Sequence, residues 1–564
     1  MEARREHRLG LTLASVLVLI AAACGAATPS AAPSVDGGSS TAPEPAPSAA
    51  PAGDLNGTVS IAFVGDIQYW DPALAYDTVS WAGGRLLFDQ LLHYDSGTGL
   101  IPGLAAEMPS VSADGLTYTF KLRDGVMFHG ADGAEIGQMT ADDVVFSINR
   151  ILRQDLKPNP SPVGPAFFSI IAGADKVLGG ANETASGLRA IDPLTVEIEL
   201  TKPDKRILNI LAMGFGSVIP KESPMDATAF AKSPVGTGPY HLEEYTQGQK
   251  AVFVRNDSYW GDRPLNGGVE MRVNVDDQTQ LQQAIAGQLD LMGDPVPPGA
   301  FTATVNDPSL QGRIHRRIDV AVFYLAMDTS APDSPLSDVK VRQAFNHAVD
   351  KANLVRIANG RGGAADCILP PAMPGHDPSC KPYTFDAAKA SALMAEAGRT
   401  DGFSTKLYTD TTDLSKAWAE SIQADLAKIN VEVELVLQDW DVLLGTITTP
   451  HEAPMVLIGW FQDFPDPSDF IDPVLSCGTA VAGGANSAWY CNEEIDGMAA
   501  AALGESDDAK RLAMYQDIQK RIMADAPWVP TTFSETVEVV SARVSGTYLH
   551  PVYPYDLRVI SVGE

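Results

Sequence analysis

The sequence predicts an α/β protein with two or more domains, on three observations. Its 564 residues exceed what one hydrophobic core usually supports. Between residues 403 and 447, strand-like alternation and helical spacing follow one another twice. Residues 455–461 are a short apolar run before a segment rich in Pro and Asp, typical of a strand buried on both faces. We therefore expect residues near 320–540 to form an α/β lobe with a largely parallel sheet.

The end of this buried strand is a candidate binding site. Asp463 lies just beyond the strand, and Pro465 prevents the strand from continuing. Open α/β sheets hold ligands in the crevice beyond the carboxyl ends of their strands. A carboxylate flanked by Trp460, Phe461 and Phe464 is costly to bury without a cation or several hydrogen-bond donors. The partner of Asp463 is either a cationic ligand or a lysine or arginine of the protein, unless Asp463 only caps the next turn.

The first elements of the folded region are a strand and an aromatic turn. Residues 58–63 alternate as a strand, and Tyr69 and Trp70 follow in a turn, where they either line a pocket or fill a core. Further along, Gly236 and Gly238 permit a tight turn against a neighbouring segment, which is a packing role.

A second strand and a helix follow the aromatic turn. Alternate residues from 116 to 122 are apolar, and Asp124-Gly125 indicates a hairpin turn after them. Thr140 and Asp143 approximate a capping box at the start of a helix. Ser337 is the predicted N-cap of a later helix. The core-facing stripe expected for that later helix consists of Val341, Ala344, Phe345 and Ala348.

Residues 1–24 are predicted to be a targeting segment, with arginines followed by an apolar stretch too short to span a bilayer. Three alanines precede Cys24, which resembles the lipobox of bacterial lipoproteins and implies a lipid anchor on the outer face of the cell membrane. Because Ala21 stands where that pattern usually has Leu, plain secretory cleavage stays open. Residues 25–53 are rich in Ala, Pro and Ser, which predicts a disordered linker.

The remaining cysteines are even in number, as expected for disulfides in an exported protein. The most economical pairing joins Cys367 to Cys380 and Cys477 to Cys491, because each bond closes a short loop. A metal is not expected, since no CxxC occurs and no His lies at zinc spacing.

Charge and motifs exclude several function classes. A net charge of −31 argues against nucleic-acid binding and favours cationic solutes weakly. No metalloprotease, nucleophile-elbow or phosphate-loop motif occurs, so we expect neither catalysis nor a cofactor. The aspartates at 463, 466, 469 and 472 lack the Gly and terminal Glu of an EF-hand, and we interpret them as turn and helix-start acids.

Several motifs together resemble a known family. Residues 114–130 read DGLTYTFKLRDGVMFHG, and TADDVVFS, PVGTGPY and RNDSYW follow in order. Residues 336–351, 385–398 (ending in EAG), 459–467 (GWFQDFPDP) and 524–527 (ADAP) continue the match. The chain resembles, from about residue 58 to its end, the extracytoplasmic solute-binding proteins of family 5, the peptide/nickel type of ABC transporter.

The resemblance implies a two-lobe periplasmic-binding-protein fold of class II type, with the extra subdomain of peptide-binding members. Lobe I would comprise residues 54–319 and 545–564, with the extra subdomain at about 100–235, and lobe II residues 320–544. Hinge crossings are expected near residues 319–325 and 541–544, and their closure would trap a ligand.

The resemblance also implies the function of a monomeric substrate-binding component that delivers peptides to ABC permease subunits. The peptide α-ammonium would pair with Asp463. The other ligand-binding candidates are Gly459, Trp460, Phe461, Phe464, Trp440, Tyr69 and Trp70. Some dipeptide binders of this family hold the ligand carboxylate with an Arg near residues 409–414, and this chain has none there. Longer peptides, an oligosaccharide, a metal chelate or a non-transport sensor role therefore stay open.

Overall fold

The computed structural model describes residues 55–563, so the predicted signal segment, the lipidation site Cys24 and nearly all of the linker lie outside the described residues. The strands are β1 Thr58–Ala62, β2 Leu92–Tyr94, β3 Leu100–Pro102, β4 Ser110–Val111, β5 Thr117–Lys121, β6 Met127–His129, β7 Glu135–Gln138, β8 Leu188–Asp192, β9 Thr195–Glu199, β10 Tyr240–Thr246, β11 Lys250–Arg255, β12 Gly268–Arg272, β13 Leu291–Met292, β14 Ile314–Met327, β15 Gly363–Ala364, β16 Phe403–Asp410, β17 Val431–Gln438, β18 Met455–Phe461, β19 Trp528–Val539, β20 Val544–Ser545 and β21 Ser561–Val562.

The α-helices alternate with these strands in both halves of the chain. They are α1 Thr78–Leu87, α2 Ala141–Leu152, α3 Ala174–Leu178, α4 Ile207–Ile210, α5 Ala227–Phe230, α6 Asp277–Ile285, α7 Pro298–Val305, α8 Val339–Ala348, α9 Lys351–Ile357, α10 Ala387–Glu396, α11 Asp413–Ala427, α12 Trp440–Ile447, α13 Asp472–Leu475, α14 Glu493–Gly504 and α15 Asp508–Asp525. None of the helices within residues 55–563 is both long and apolar enough to cross a membrane.

The first sheet has the order β10-β11-β12-β1-β13. Strand β1 is parallel to β12 and β13, whereas β10, β11 and β12 are antiparallel. The C-terminal segment returns to this sheet, because Ile560 and Val562 pack in one core with Val59 and Ile61. The resemblance assigns this segment to lobe I, and among residues 558–562 only Ser561–Val562 is a strand.

The second sheet has the order β15-β19-β14-β18-β16-β17. Strand β16 is parallel to β17 and β18, but β14 is antiparallel to both β18 and β19, and β15 is antiparallel to β19. The prediction of a largely parallel sheet is therefore wrong. Helical connections place β16, β17 and β18 in parallel, but β14 and β19 run antiparallel to each other and do not follow that alternation.

Strands β14 and β19 connect the two parts of the structure. Val322 and Phe533 belong to a core of the second sheet, whereas Val537 and Val539 belong to a core with Met292 of the first part. The ladder between the two strands has a register shift between Ile318 and Val322. This shift coincides with the start of the first predicted crossing. The change of core in β19 lies upstream of the second crossing, which had been expected at 541–544.

A separate sheet with the order β4-β5-β9-β8 lies in the region expected to be the extra subdomain. Tyr118 and Phe120 of β5 are buried, as the alternation predicted. The predicted hairpin at Asp124-Gly125 is wrong, because β5 pairs with β4 and β9 whereas β6 pairs with β7. A turn dipeptide reverses the chain here without pairing the strands it connects.

Local signals at the helix starts and the glycine turn are mostly confirmed. The backbone N–H of Thr140 donates to Asp143 at 2.8 Å, which is the predicted capping contact of α2. The N-cap of α8 is Asp338 and not Ser337, because the Asp338 carboxylate accepts the N–H of Lys340. A Cβ on Gly236 would lie 2.1 Å from the carbonyl oxygen of Leu87, which confirms the packing role of this turn.

Both predicted disulfides, Cys367–Cys380 and Cys477–Cys491, are formed. The first joins segments that pack in a core of the second sheet, where both cysteines are buried. The second closes the segment between α13 and α14.

Candidate functional site

Strand β18 positions the candidate site, and its bounds are those expected from the apolar run. Met455 to Leu457 are buried between β14 and β16. Beyond the strand, Gln462 still donates its backbone N–H to Val320, and the chain then turns at Pro467 into a short 3₁₀ helix capped by Asp466. Asp463 therefore lies at the carboxyl end of β18, where the chain leaves the sheet.

Asp463 contacts a tyrosine from the first part of the structure. The hydroxyl of Tyr76, which lies just before α1, donates to Oδ1 of Asp463 at 2.6 Å. The backbone N–H of Asp463 donates to Oδ2 of Asp469 at 2.8 Å. Burial raises the pKa of the Asp463 carboxyl, and the Tyr76 hydrogen bond partly offsets that effect.

The four aspartates of this segment separate into two kinds. Asp466 forms a buried ion pair with Arg511 at 2.7 Å, and Asp472 pairs with Arg206 at 2.9 Å. Within residues 55–563, neither Asp463 nor Asp469 has a basic side chain within ion-pair distance. Burial, followed by the neighbouring charge of Asp463, raises the pKa of Asp469 well above its ordinary value. Among residues 55–563, these two carboxyls accept hydrogen bonds but form no ion pair.

Two cavities meet at Asp463. One has a volume of about 240 Å³ and is lined by Trp81 of α1, by Phe461 at the end of β18 and by Arg317 of β14. The other has a volume of about 370 Å³ and is lined by Phe167 and by Asp469. Both cavities combine residues from the first part of the chain with residues after β18, so a ligand there would contact both parts.

The structure brings part of the predicted residue set to these cavities. Phe461 is 56% exposed and lines the first cavity. Phe464 is buried, lines the second cavity and packs edge-on against Phe167 with ring centroids 6.3 Å apart. Trp460 is partly buried, packs against a core of the second sheet and lines neither cavity. Gly459 has a packing role, because a Cβ there would lie 2.8 Å from the ring of Phe323.

Three predicted wall residues lie elsewhere among residues 55–563. Trp70 is 4% exposed and packs edge-on against Tyr245 and Phe253, so it fills a core, which was one of its two interpretations. Tyr69 packs against another core, and Trp440 is half-exposed in the first turn of α12. None of the three lines either cavity.

Several residues that line the cavities carry no recognisable motif in the sequence. Tyr76, Trp81 and Phe167 lie in an aromatic cluster in the first part of the chain, with centroids 5.8 Å apart for Tyr76–Trp81 and 6.1 Å for Tyr76–Phe167. Asp469 was recognised only as a turn acid. That it lines a cavity and forms no ion pair with another residue of 55–563 is visible only in the three-dimensional structure.

The fold and the cleft between its parts define a two-lobe solute-binding protein, and comparisons with known proteins agree. Residues 99–481 match the model of the bacterial extracellular solute-binding proteins, family 5. The dipeptide-binding protein of Escherichia coli K12 is 31% identical over 494 residues, covering 84% of this chain and 89% of the relative. Heme-binding protein A of Haemophilus influenzae is 30% identical over 503 residues, covering 86% and 89%.

A solved structure gives the same result. The periplasmic binding protein DppA of Helicobacter pylori, in complex with the peptide STSA, superposes with a TM-score of 0.72 at 25% identity. The alignment covers 90% of this chain and 99% of that protein. The chain therefore belongs to family 5 of the bacterial extracellular solute-binding proteins.

Proposed function

We propose that this protein is the substrate-binding component of an ABC importer, and that it binds peptides by their free amino terminus in the cleft between its lobes. The observation that carries the proposal is the position of Asp463. It lies where two cavities meet and, among the described residues, has no basic partner. The α-ammonium of a peptide would supply the missing charge.

The relatives support the class of ligand. One is named for dipeptide binding, and the solved structure from Helicobacter pylori contains a tetrapeptide. A further relative is named for heme binding, so the family does not itself fix the ligand. We propose a peptide as the ligand because Asp463 of this chain can accept hydrogen bonds from an ammonium group.

The described cleft offers no free arginine that could bind the carboxylate at the other end of a short peptide. Asp410 stands at the end of β16 and accepts hydrogen bonds from Thr412 and Ser415. Arg317 lines the first cavity, but it already donates to Asp319 and to the carbonyl oxygen of His550. This arrangement favours peptides whose carboxyl end extends beyond the cavities over a strict selection for dipeptides.

We further propose that the protein acts as a monomer held on the outer face of the cell membrane through a lipid on Cys24. The lipobox-like sequence before Cys24 and the linker after it support this proposal. Metabolic labelling with a radioactive fatty acid, compared between the natural protein and Cys24→Ala, tests the anchor. Loss of label in the variant is expected, and an unlabelled natural protein would contradict the proposal.

Titration calorimetry with tri-alanine and N-acetyl-tri-alanine tests the peptide function. Asp463→Ala should weaken tri-alanine binding more than tenfold and leave the melting temperature of the unliganded protein nearly unchanged. Asp441→Ala removes an exposed acid of α12 that lines neither cavity, so it should bind like the natural protein. Acetylation should abolish binding. Equal affinities for the two peptides, or unaltered binding by Asp463→Ala, would rule out ammonium pairing.

A further inference from the structure

Asp469 is a buried acid that lines the candidate site. Its side chain is almost fully buried, at 3% exposure, yet it lines the cavity of about 370 Å³. Within residues 55–563 it forms no ion pair, whereas Asp466 and Asp472 in the same segment each pair with an arginine. Burying a carboxylate without a cation is costly, so the position requires a compensating group.

We propose that Asp469 is a second carboxylate of the ligand-cation site, and that one ammonium group binds between Asp463 and Asp469 in place of a proton held by the empty pair. The inference rests on the proposed peptide function and extends it. The bound proton leaves to solvent as the ammonium forms its contacts, so charge in the cavity is conserved.

A hydrogen bond joins the two aspartates, and both line one cavity. Oδ2 of Asp469 accepts the backbone N–H of Asp463 at 2.8 Å, and Oδ1 of Asp463 accepts the Tyr76 hydroxyl at 2.6 Å. Both side chains line the same cavity. An ammonium has three donors, so it can contact both carboxyls and still donate to a further acceptor.

The walls of the cavity make the two negative charges costly when no ligand is present. Phe167, Ile170, Ile210 and Phe464 form the apolar part of its lining. Burial and the mutual repulsion of the two charges raise the pKa of Asp469, and burial raises that of Asp463. Two interacting carboxyls lose their protons in two separate steps, so a state with one proton on the pair has a pH range of its own.

The surrounding charged groups do not neutralise the pair. The titratable and charged groups that face Asp469 are Asp463, Asp466 and Asp472 from its own segment, Tyr76 and Tyr94 from the first part of the chain, and Arg206 near α4. Arg206 donates to Asp204 and Asp472, and Arg511 donates to Asp466. Each arginine is therefore already engaged by another acid.

Calorimetry of tri-alanine binding in buffers of different ionisation enthalpy tests the inference. The natural protein should release close to one proton per peptide, and its affinity should rise by about tenfold per pH unit while the pair is protonated. Asp469→Asn should bind more weakly, release no proton and show a flat pH dependence. Asp441→Asn should behave like the natural protein.

The variants distinguish this inference from the peptide function. If Asp463→Asn weakens binding but Asp469→Asn keeps the full affinity and proton release, the proposed role of Asp469 is wrong and that of Asp463 is retained. If the natural protein does not bind tri-alanine, both the peptide function and the role of Asp469 are wrong. Infrared difference spectra of the natural protein, recorded with and without peptide, test the inference without any substitution. A protonated-carboxyl band that disappears on peptide addition supports the inference, and an unchanged spectrum overturns it.

Discussion

The hydroxyl of Tyr76 lies 2.6 Å from Oδ1 of Asp463, and this hydrogen bond joins positions 387 residues apart in the chain. Tyr76 packs against Trp81 and Phe167 in the first part of the structure, whereas Asp463 follows β18 of the second sheet. The contact therefore spans the cleft in which we place the ligand. It links the arrangement of the lobes to the residue proposed to bind the ammonium.

Tyr76→Phe should shift the unliganded protein towards an arrangement with the two lobes further apart. The substitution keeps the ring contacts and removes a hydrogen bond to an acid, which contributes about 1.5–3 kcal/mol when the acid is charged. Because Tyr76 is 44% exposed, we expect the lower end of that range. Small-angle X-ray scattering should show a larger radius of gyration for the unliganded variant and an unchanged one with peptide. Identical unliganded curves for variant and natural protein would contradict a lobe-bridging role.

Asp469→Asn should change how stability depends on pH. The pKa of Asp469 is raised in the folded protein, so the fold holds its proton to higher pH than the unfolded chain does. The free energy of unfolding should therefore fall as the pH rises from about 4, the ordinary carboxyl pKa, through the raised value. Asp469→Asn should flatten this decrease in urea unfolding measured across that window. A variant whose pH profile matches that of the natural protein would contradict the raised pKa.

Arg150→Met should be strongly destabilising. Arg150 forms a bidentate ion pair with Asp71 at 2.6 Å for both contacts, and the two side chains are 1% and 0% exposed. Removing one partner leaves a buried charge uncompensated, which costs about 3–5 kcal/mol. The matched control is Arg153→Met, which breaks the more exposed pair with Asp155 and should cost below about 1 kcal/mol. Equal denaturant midpoints for the two variants would refute the distinction.

Gly236→Ala should destabilise the first lobe by overpacking. Its Cβ would lie 2.1 Å from the Leu87 carbonyl oxygen, and relieving such a contact costs about 1–3 kcal/mol. Gly445→Ala is the control, because Gly445 lies inside α12 with no atom within 4 Å of an added Cβ. Alanine there should stabilise the helix by up to about 1 kcal/mol. Thermal unfolding should shift in opposite directions, and a shared direction would count against the packing role.

Local patterns in the sequence predict the elements that depend on neighbouring residues. The bounds of β18, the capping contact of Thr140 with Asp143 and the buried stripe from Val341 to Ala348 follow from short-range spacing. The predicted N-cap of α8 was wrong by one residue, because two neighbouring side chains are both able to cap a helix. Asp338 caps α8 although Ser337 was expected, since both side chains can accept an N–H.

Features that depend on distant partners could not be read from the sequence. The strand alternation predicted parallel neighbours, but β18 pairs antiparallel with β14, which enters the sheet from the preceding lobe. Likewise, Asp463 could be identified from its own segment, whereas Tyr76 carries no motif and reaches it only through the fold. The candidate site was thus predicted from the side of lobe II, and its lobe I wall was missed.

The paired strands β14 and β19 have a consequence for how ligands enter. Both connections run through one antiparallel ladder, so the lobes cannot slide past each other without breaking its hydrogen bonds. The ladder is interrupted between Ile318 and Val322 and again between Phe323 and Tyr324, so we expect bending in this segment. Entry and release should therefore proceed by rotation of the lobes about an axis through these shifts, with little translation.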